Sequence, residues 1–459
     1  ERDLFDAGDA KYASVRAYLG AFAGNYLRYP GGLLSNSFDW EGATGPAPSR
    51  RPQASGQERQ PDVVHFGPDE YFDLLQSTGS RPWYVLNLAG WDAKRSPVEL
   101  PIDQLADSAN ALVQHLAERH PESPLTYLQL GNELDRSIYQ WPTEKYVDRS
   151  QAVMDAISSV DGDRNYVAFL RDFDWTYKGK SDPRAGTKSK YQDLITETLE
   201  GLPDVRDYSL HYYYDDPGHN RRFKAIGIRL KQIKKAIAVA NAARPGEELS
   251  VWITEHARGV NLRQGRGMDR ADLTSNHDAA VSTADFLIGI AAIPEIKGAF
   301  WHGVNAGPWQ LFDATIEFRD LRPRPLYWGL RTLHAVQLPV VLATSVQQQS
   351  QSGYLGGYDV SAVGFRSDAG DEFGAWISNR RKQRTKVRLT IAQLAGNTIA
   401  IEQFQLSPDI QEPVTAGDLP GTLVPEQNEI TADADGTIEL WVLPRSVTAL
   451  RLRAKPASP

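Results

Sequence analysis

The chain has 459 residues, of which 41% are hydrophobic and 24% charged, a composition typical of globular proteins and a length that exceeds one ordinary domain. The net charge of −8 argues against general affinity for nucleic acid, and no apolar run reaches the about 18 residues that predict a membrane-spanning helix. Cysteine is absent, which excludes disulfides, thiolate metal sites and cysteine nucleophiles.

Short apolar runs alternate with amphipathic segments over the first three quarters of the chain. Predicted strands occupy residues 25–30, 82–88, 125–130, 165–170, 207–214, 249–254 and 296–301. Predicted helices occupy residues 11–23, 105–118, 226–243, 279–292 and 324–337. In the second of these helices, Leu105, Leu112 and Leu116 recur on one face. The alternation predicts βαβ units and a parallel sheet.

The number of strands leaves two α/β architectures open. A (β/α)8 TIM barrel needs eight strands, and residues 11–23 already read as the helix before the second of them. We favour this barrel over a seven-stranded doubly wound sheet because of the motifs at the strand ends. The missing first strand is expected from residues 1–8, from a segment preceding Glu1, or from a separate N-terminal fragment. We prefer the upstream segment because residues 1–8 are mostly polar.

The pattern changes near residue 338, where period-two runs replace helical ones. Predicted strands there occupy residues 340–346, 361–365, 372–378, 386–391, 398–405, 437–442 and 449–452. Turn sequences separate these runs, as in an all-β sandwich. The predicted fold class is therefore α/β: a (β/α)8 TIM barrel over residues 1–338, followed by a C-terminal all-β sandwich over residues 339–459.

Two glutamates stand at the ends of predicted strands. Glu133 follows the apolar run 128–130, and Glu255 follows the run 251–253. Taken alone, Glu133 reads more readily as an acid that complements the dipole at a helix start. Together the two carboxylates match the needs of glycoside hydrolysis, in which one acid protonates the leaving oxygen and a second carboxylate attacks the sugar or activates water. In a barrel, both would lie on the face where active sites form.

Further motifs occur in the same order as in clan A glycoside hydrolases, and the chain resembles that clan. They are RYPGG at 28–32 with DW at 39–40, LGNE at 130–133, SLHYY at 209–213 and TE at 254–255. The chain is similar to the α-L-arabinofuranosidase, β-xylosidase and heparanase-like β-glucuronidase families, which also carry an accessory sandwich. Leu33 replaces the Asn usual in arabinofuranosidases, and Leu134 replaces the Pro usual in heparanase-like enzymes. The sugar specificity therefore stays open.

The resemblance implies a retaining hydrolase in which Glu133 is the general acid/base and Glu255 is the nucleophile. Such an enzyme needs no cofactor, and no metal site is expected. The resemblance also implies six substrate-site residues: Asn132, His211, Tyr213, Trp301, Arg28 and Asn305. Asn132 would bind a sugar hydroxyl, His211 would orient groups around the nucleophile, Tyr213 and Arg28 would donate to Glu255, and Trp301 would stack on the sugar.

Simpler interpretations of three of these residues remain open. His211 can be a core histidine, Trp301 a packing residue and Arg28 a structural ion-pair partner. For the whole chain, the alternatives are a carbohydrate-binding protein without activity and a transglycosylase with the same residues.

The expected partner is a carbohydrate, with neither nucleic acid nor a membrane span. Basic residues in the predicted loops after strand ends slightly favour an anionic glycan, uronate or sulfated; they are Arg50, Arg51, Arg59, Arg221, Arg222, Lys224, Arg258, Arg263, Arg266 and Arg270. Ordinary loop solvation is the alternative, because aspartates share those loops. A chain that starts at Glu1 without a signal-like segment fits a mature secreted or periplasmic protein, or a trimmed chain.

Overall fold

The computed structural model describes residues 10–53, 63–91, 99–135, 139–160, 162–176, 186–215, 225–260, 271–313, 321–347, 358–418 and 420–455. Its described residues form two compact units. The first unit comprises Glu1–His211 and Gln232–Thr254, and the second comprises Tyr212–Lys231 and Glu255–Pro459.

Seven parallel strands follow one another in the sheet in the order of the sequence. They are β1 (Tyr26–Tyr29), β2 (Arg81–Leu86), β3 (Tyr127–Leu130), β4 (Asn165–Phe169), β5 (Asp207–Tyr214), β6 (Ser250–Arg258) and β7 (Ile296–Trp301). All but one residue of β2 and all but one of β6 are buried, as expected for strands covered on both faces. This sheet and its helices confirm the predicted barrel class.

The strand order begins at β1 and ends at β7, so seven barrel strands lie in the described part of the chain. The eighth strand was expected from residues 1–8 or from a segment before them, and both lie outside the described residues. Its source stays a prediction.

Eight helices longer than two turns occur in the described ranges. They are α1 (Ala10–Gly20), α2 (Pro68–Thr78), α3 (Ile102–Arg119), α4 (Thr143–Ile157), α5 (Tyr191–Gly201), α6 (Ile226–Ala243), α7 (His277–Ala291) and α8 (Pro325–His334). The predicted face of α3 is buried, and α7 starts where the Asn276 side chain accepts a hydrogen bond from the Ala279 amide at 2.9 Å. None of the described helices is long and apolar enough to span a bilayer.

Shorter elements fill some of the connections. One-turn helices are Leu33–Ser37, Glu41–Ala43, Ala47–Ser49, Ala271–Thr274 and Ala392–Leu394. Two-residue strands pair as Trp175–Thr176 with Lys188–Ser189, Asn305–Ala306 with Trp309–Gln310, Phe312–Asp313 with Arg322–Pro323, and Thr415–Ala416 with Thr422–Leu423.

The C-terminal strands are antiparallel and confirm the predicted all-β region. They are β8 (Val340–Leu342), β9 (Val360–Arg366), β10 (Glu372–Asn379), β11 (Thr385–Thr390), β12 (Thr398–Leu406), β13 (Glu426–Thr431), β14 (Thr437–Val442) and β15 (Ser446–Ala454). Six pair in the order β8-β9-β10-β15-β12-β13, while β11 pairs with β14. Their inward residues, including Phe373, Ile399 and Leu440, form one apolar cluster. The domain boundary at residues 338/339 stays a prediction.

Candidate active site

The two predicted catalytic glutamates are carried by β3 and β6. Glu133 lies three residues beyond the end of β3, while Glu255 lies inside β6, which continues to Arg258 instead of ending at 254 as predicted. The turn after β3 is tight: Gly131 has φ +71° and Glu133 has φ +47°. A Cβ on Gly131 would come within 2.6 Å of Leu134 Cδ1 and would force that side chain to shift, so glycine is favoured here mainly by the positive φ.

The backbone of Asn132 is held by the side chain of Asn36. The Asn132 amide donates to Asn36 Oδ1 at 2.9 Å, and Asn36 Nδ2 donates to the Asn132 carbonyl at 2.5 Å. Both residues are buried, and no water competes easily for these groups. Asn36 was not predicted as a site residue, because it lies 96 positions from its partner in the sequence.

The side chain of Asn132 is held by Arg28. Arg28 Nη2 donates to Asn132 Oδ1 at 2.6 Å, and its Nε donates to Gln129 Oε1 at 2.8 Å. The indole of Trp83 donates to the same Gln129 oxygen at 3.0 Å. These bonds orient the amide of Asn132, and the predicted contacts of Arg28 with substrate and with Glu255 stay predictions.

Glu133 is paired with a histidine. His211 Nδ1 lies 2.9 Å from Glu133 Oε1, and His211 Nε2 lies 3.0 Å from the Thr254 hydroxyl. The Glu133 side chain retains 22% of its exposure, while His211 retains 6%. These two bonds connect His211 to the predicted acid/base, and its role in orienting groups around the nucleophile stays a prediction.

Glu255 lies among different partners. The hydroxyl of Tyr213 donates to Glu255 Oε1 and lies 2.8 Å from His302 Nδ1. His302 Nδ1 is itself 2.9 Å from Glu255 Oε1, and the carboxylate side chain is only 6% exposed. A phenol that donates to a carboxylate stabilises the ionised form. His302 was not predicted, although its place directly after the strand-end Trp301 is a usable signal.

Aromatic rings pack around this second carboxylate. The ring of Trp309 lies 5.0 Å from that of Tyr213 and 4.3 Å from that of His302. Trp309 donates to the Arg258 carbonyl at 2.9 Å. It was not predicted, and it is a second candidate for stacking on a sugar.

Trp301 packs edge-on against His256, at 5.8 Å and 82°. Its indole N–H is buried and has no hydrogen-bond partner in the part of the chain that the structure describes. Burial lowers the pKa of His256 to about 3, helped by His302 and opposed by Glu255. The stacking role of Trp301 stays a prediction, and the side chain of Asn305 lies outside the described residues.

Several of the basic residues that suggested an anionic substrate serve other purposes. Arg50 is buried and donates to the carbonyls of Gly45 and Val64 and to Glu70. Arg258 is buried and donates to the carbonyls of Asp215 and Leu273. Guanidinium groups used in this way have fewer donors available for a substrate.

Of the remaining basic residues, Arg51 is exposed but pairs with Asp39 at 3.0 Å. The other seven lie outside the described residues: Arg59, Arg221, Arg222, Lys224, Arg263, Arg266 and Arg270.

Glu133, His211 and Glu255 carry carboxylate and imidazole atoms of the kinds that bind metal ions. Each of them makes a hydrogen bond within its own unit: Glu133 with His211, and Glu255 with Tyr213. These bonds involve one oxygen of each carboxylate. The expectation that no metal is required therefore stays a prediction.

The chain is similar in sequence to two curated arabinofuranosidases. It is 27% identical over 223 residues to an intracellular exo-α-(1→5)-L-arabinofuranosidase of Halalkalibacterium halodurans, covering 47% of this chain and 42% of the relative. It is 25% identical over 203 residues to a protein of the same name from Bifidobacterium longum, covering 43% and 34%. The chain thus matches less than half the length of these relatives. No protein-family model matches it.

The fold is shared more widely than the sequence. The α-L-arabinofuranosidase of Thermotoga maritima, solved with arabinose, superposes with a TM-score of 0.71 over 98% of this chain and 92% of that one, at 14% identity. At such identity the likeness establishes the fold. The present chain therefore resembles the clan A glycoside hydrolases, and the α-L-arabinofuranosidases among them. The resemblance rests on its barrel and sandwich, on the two glutamates of its parallel strands and on its sequence relatives.

Proposed function

We propose that the chain is a retaining glycoside hydrolase that releases α-L-arabinofuranosyl groups. The observation that carries this proposal is the difference between the surroundings of the two glutamates. Glu133 is partly exposed and bonded to an imidazole, which suits a group that gives and takes a proton. Glu255 is buried and receives the hydroxyl of Tyr213, which suits a group that stays ionised and attacks carbon.

The proposed reaction has two steps. Glu255 attacks the anomeric carbon while the bond to the leaving oxygen breaks, and Glu133 passes its proton to that oxygen. Water then gives a proton to Glu133 as its oxygen attacks the anomeric carbon, which releases Glu255. Asn132, whose amide oxygen accepts from Arg28 and whose amide nitrogen is thereby oriented, would donate to the sugar hydroxyl beside the anomeric carbon.

Support for the sugar comes from sequence. Both sequence relatives are named as exo-α-(1→5)-L-arabinofuranosidases, and their matches cover nearly half of this chain. An anionic glycan has weaker support, because Arg50 and Arg258 are already satisfied by internal partners.

A panel of 4-nitrophenyl glycosides tests the function: α-L-arabinofuranoside, β-xyloside, β-galactoside and β-glucuronide. We expect the arabinofuranoside to be cleaved fastest and NMR to show that the first-formed sugar keeps its anomeric configuration. Preference for the glucuronide would replace the proposed sugar with an anionic one. Inversion would remove Glu255 as nucleophile, and binding without turnover on any of the four would favour a non-catalytic carbohydrate-binding protein.

A further inference from the structure

Three charged side chains are buried together in the second unit. Asp215 and Asp285 keep 0% and 1% of their side-chain exposure, and Arg380 keeps 7%. Arg380 Nη1 lies 2.8 Å from Asp215 Oδ2, and its Nε lies 2.9 Å from Asp285 Oδ2. Buried charges cost stability unless they are paired and hydrogen-bonded, so this group needs each of its members.

Hydroxyl and amide groups complete the cluster. Ser282 donates to Asp215 Oδ2 at 2.5 Å, Ser361 donates to Asp285, and the Tyr358 amide donates to Asp285 at 3.3 Å. Burial alone would lower the pKa of Arg380, but the carboxylates of Asp285 and Asp215 raise it above the ordinary value. Arg380 is therefore a permanent cation that bridges two carboxylates.

Arg380 holds Asp215, which is the last residue of the described range 186–215. Asp215 directly follows β5, adopts φ +57° and has its carbonyl bonded by Arg258 at 3.1 Å. A non-glycine residue in this conformation persists only where its surroundings fix it. The side-chain bond to Arg380 and the backbone bond to Arg258 supply that constraint from two directions.

Three consecutive residues at this strand end make three different connections. Tyr213 donates to Glu255, and the Tyr214 hydroxyl lies 3.1 Å from His256 Nδ1 and donates to Thr283 of α7 at 3.2 Å. Asp215 is bonded to Arg380, which follows strand β10. The backbone of residues 213–215 therefore connects Arg380 of the sandwich to the Tyr213 hydroxyl, which contacts the predicted nucleophile Glu255.

We propose that Arg380 is a positioning residue for the reaction. It fixes Asp215, and thereby the end of β5, so that the Tyr213 hydroxyl stays on Glu255. The accessory sandwich then contributes to catalysis through this arginine. The kinetic part of the inference rests on the proposed function, whereas the structural part does not.

The side-chain chemistry indicates which substitutions are informative. A guanidinium offers several donors in a planar fork and can reach two carboxylates at once, whereas the ammonium of lysine is a single point charge. Arg380→Lys therefore keeps the charge but weakens the bridge. Arg380→Met leaves Asp215 and Asp285 as two buried like charges and strains the fold. A triple variant, Asp215→Asn with Asp285→Asn and Arg380→Gln, replaces the charges with amides and keeps the fold testable if Arg380→Met is unstable.

A matched control is available in the same sandwich. Arg451 lies 2.9 Å from Glu372 and 3.1 Å from Glu402 and donates to the Ala335 carbonyl at 2.6 Å. It bridges two carboxylates as Arg380 does, but it is not bonded to the end of β5. Arg451→Met should lower stability without moving Tyr213.

Two readouts separate positioning from stability. The first is kcat and KM for 4-nitrophenyl α-L-arabinofuranoside, measured well below each Tm. The second is ¹⁹F NMR of full-length protein labelled with 5-fluorotryptophan, in which the Trp309 signal is assigned by its loss in Trp309→Phe. Trp309 packs on Tyr213 at 5.0 Å, so its signal reports the position of that ring without any turnover.

For Arg380→Met we expect kcat to fall roughly 100-fold with a smaller change in KM, and the Trp309 signal to shift or broaden. Arg380→Lys and the triple variant should lose roughly tenfold. Arg451→Met should keep kcat within about twofold and leave the Trp309 signal in place. If wild type cleaves no glycoside, the proposed function fails, and the NMR comparison still decides the role of Arg380. An unmoved Trp309 signal in Arg380→Lys and in the triple variant would overturn that role.

Discussion

The imidazole of His211 joins Glu133 to Thr254, with Nδ1 2.9 Å from the carboxylate oxygen and Nε2 3.0 Å from the threonine hydroxyl. A neutral imidazole has one donor nitrogen and one acceptor nitrogen. When Glu133 is ionised, Nδ1–H donates to it and Nε2 accepts from Thr254. When Glu133 is protonated on Oε2, Oε1 still accepts from Nδ1–H, and the Oε2 proton is the one that is transferred. The pair can therefore follow both protonation states of a general acid/base without moving heavy atoms.

The two glutamates should respond differently to substitution. Glu133→Gln and Glu255→Gln should both fold and lose several orders of magnitude in kcat/KM on a disaccharide. An activated dinitrophenyl glycoside needs little protonation, so Glu133→Gln should retain its cleavage far better than Glu255→Gln. Azide should partly rescue Glu133→Ala, because it attacks the glycosyl-enzyme without a base. Equal losses on every leaving group, with no response to azide, would contradict the assigned roles.

The connection through His211 predicts coupling between two substitutions. Thr254→Val removes one partner of the imidazole at nearly constant volume, and His211→Asn removes the ring that bonds Glu133. Each should lower kcat by about 10–100-fold on substrates with poor leaving groups and less on activated ones. Because both act through one chain of hydrogen bonds, the double variant should lose less than the product of the single losses. If the loss of kcat in the double variant equals the product of the two single losses, the threonine does not act through His211.

Asn36 should be important for stability. Asn36→Ala leaves the amide and the carbonyl of Asn132 unpaired in a buried position, which should lower the free energy of unfolding by about 2–4 kcal/mol. Urea denaturation measures this loss. Asn397→Ala is the control: its side chain makes one exposed bond to the Ala395 carbonyl, and its substitution should cost less than about 0.5 kcal/mol. If the two variants lose similar amounts of unfolding free energy, the two hydrogen bonds of Asn36 to the backbone of Asn132 contribute little to stability.

The burial of His256 should make the folded protein less stable in acid. Its pKa is lowered from 6.5 to about 3 in the folded protein, mainly by burial. The unfolded chain therefore binds a proton below pH 6.5 that the folded protein does not bind until about pH 3. The contribution of neutral His256 to the free energy of unfolding is fully present above pH 6.5 and is lost as the pH falls towards 3. At pH 4.5 the loss is roughly 3 kcal/mol.

The His256→Gln variant isolates this contribution. Between pH 7 and 4.5, the free energy of unfolding of the wild type should fall about 3 kcal/mol more steeply than that of the variant, because glutamine does not titrate. Chemical denaturation at a series of pH values gives both curves. Parallel curves would mean that His256 is not held neutral.

The barrel could be predicted because its strands are short, apolar on both faces and separated by amphipathic helices. Strand β13 was missed because its sequence, EQNEIT, is polar and five of its six residues are exposed, so no alternation marks it. The two glutamates were found because each follows an apolar run. Two supporting residues were not found: Asn36, which holds Asn132, and His302, which contacts Tyr213. Their contacts span 96 and 89 residues and leave no local pattern.

The charge of the loops carries less information about the substrate than the strand-end motifs do. The arginines of the strand-end loops suggested an anionic substrate, yet Arg50 and Arg258 are bonded to backbone carbonyls. A sequence gives the sign of a charge but not its partners, and the partners decide whether a guanidinium faces solvent or closes a loop.

The bridge between Asp215 and Arg380 spans 165 residues of sequence. At a synthesis rate of about 5–20 residues per second, Asp215 emerges roughly 8–33 s before its guanidinium is translated. During that interval, burying the two aspartates would cost several kcal/mol each. The strand end that carries Tyr213 thus completes its docking only after β10 has been made, and a nascent chain released before that point would be a substrate for chaperones or proteases rather than a partly active enzyme.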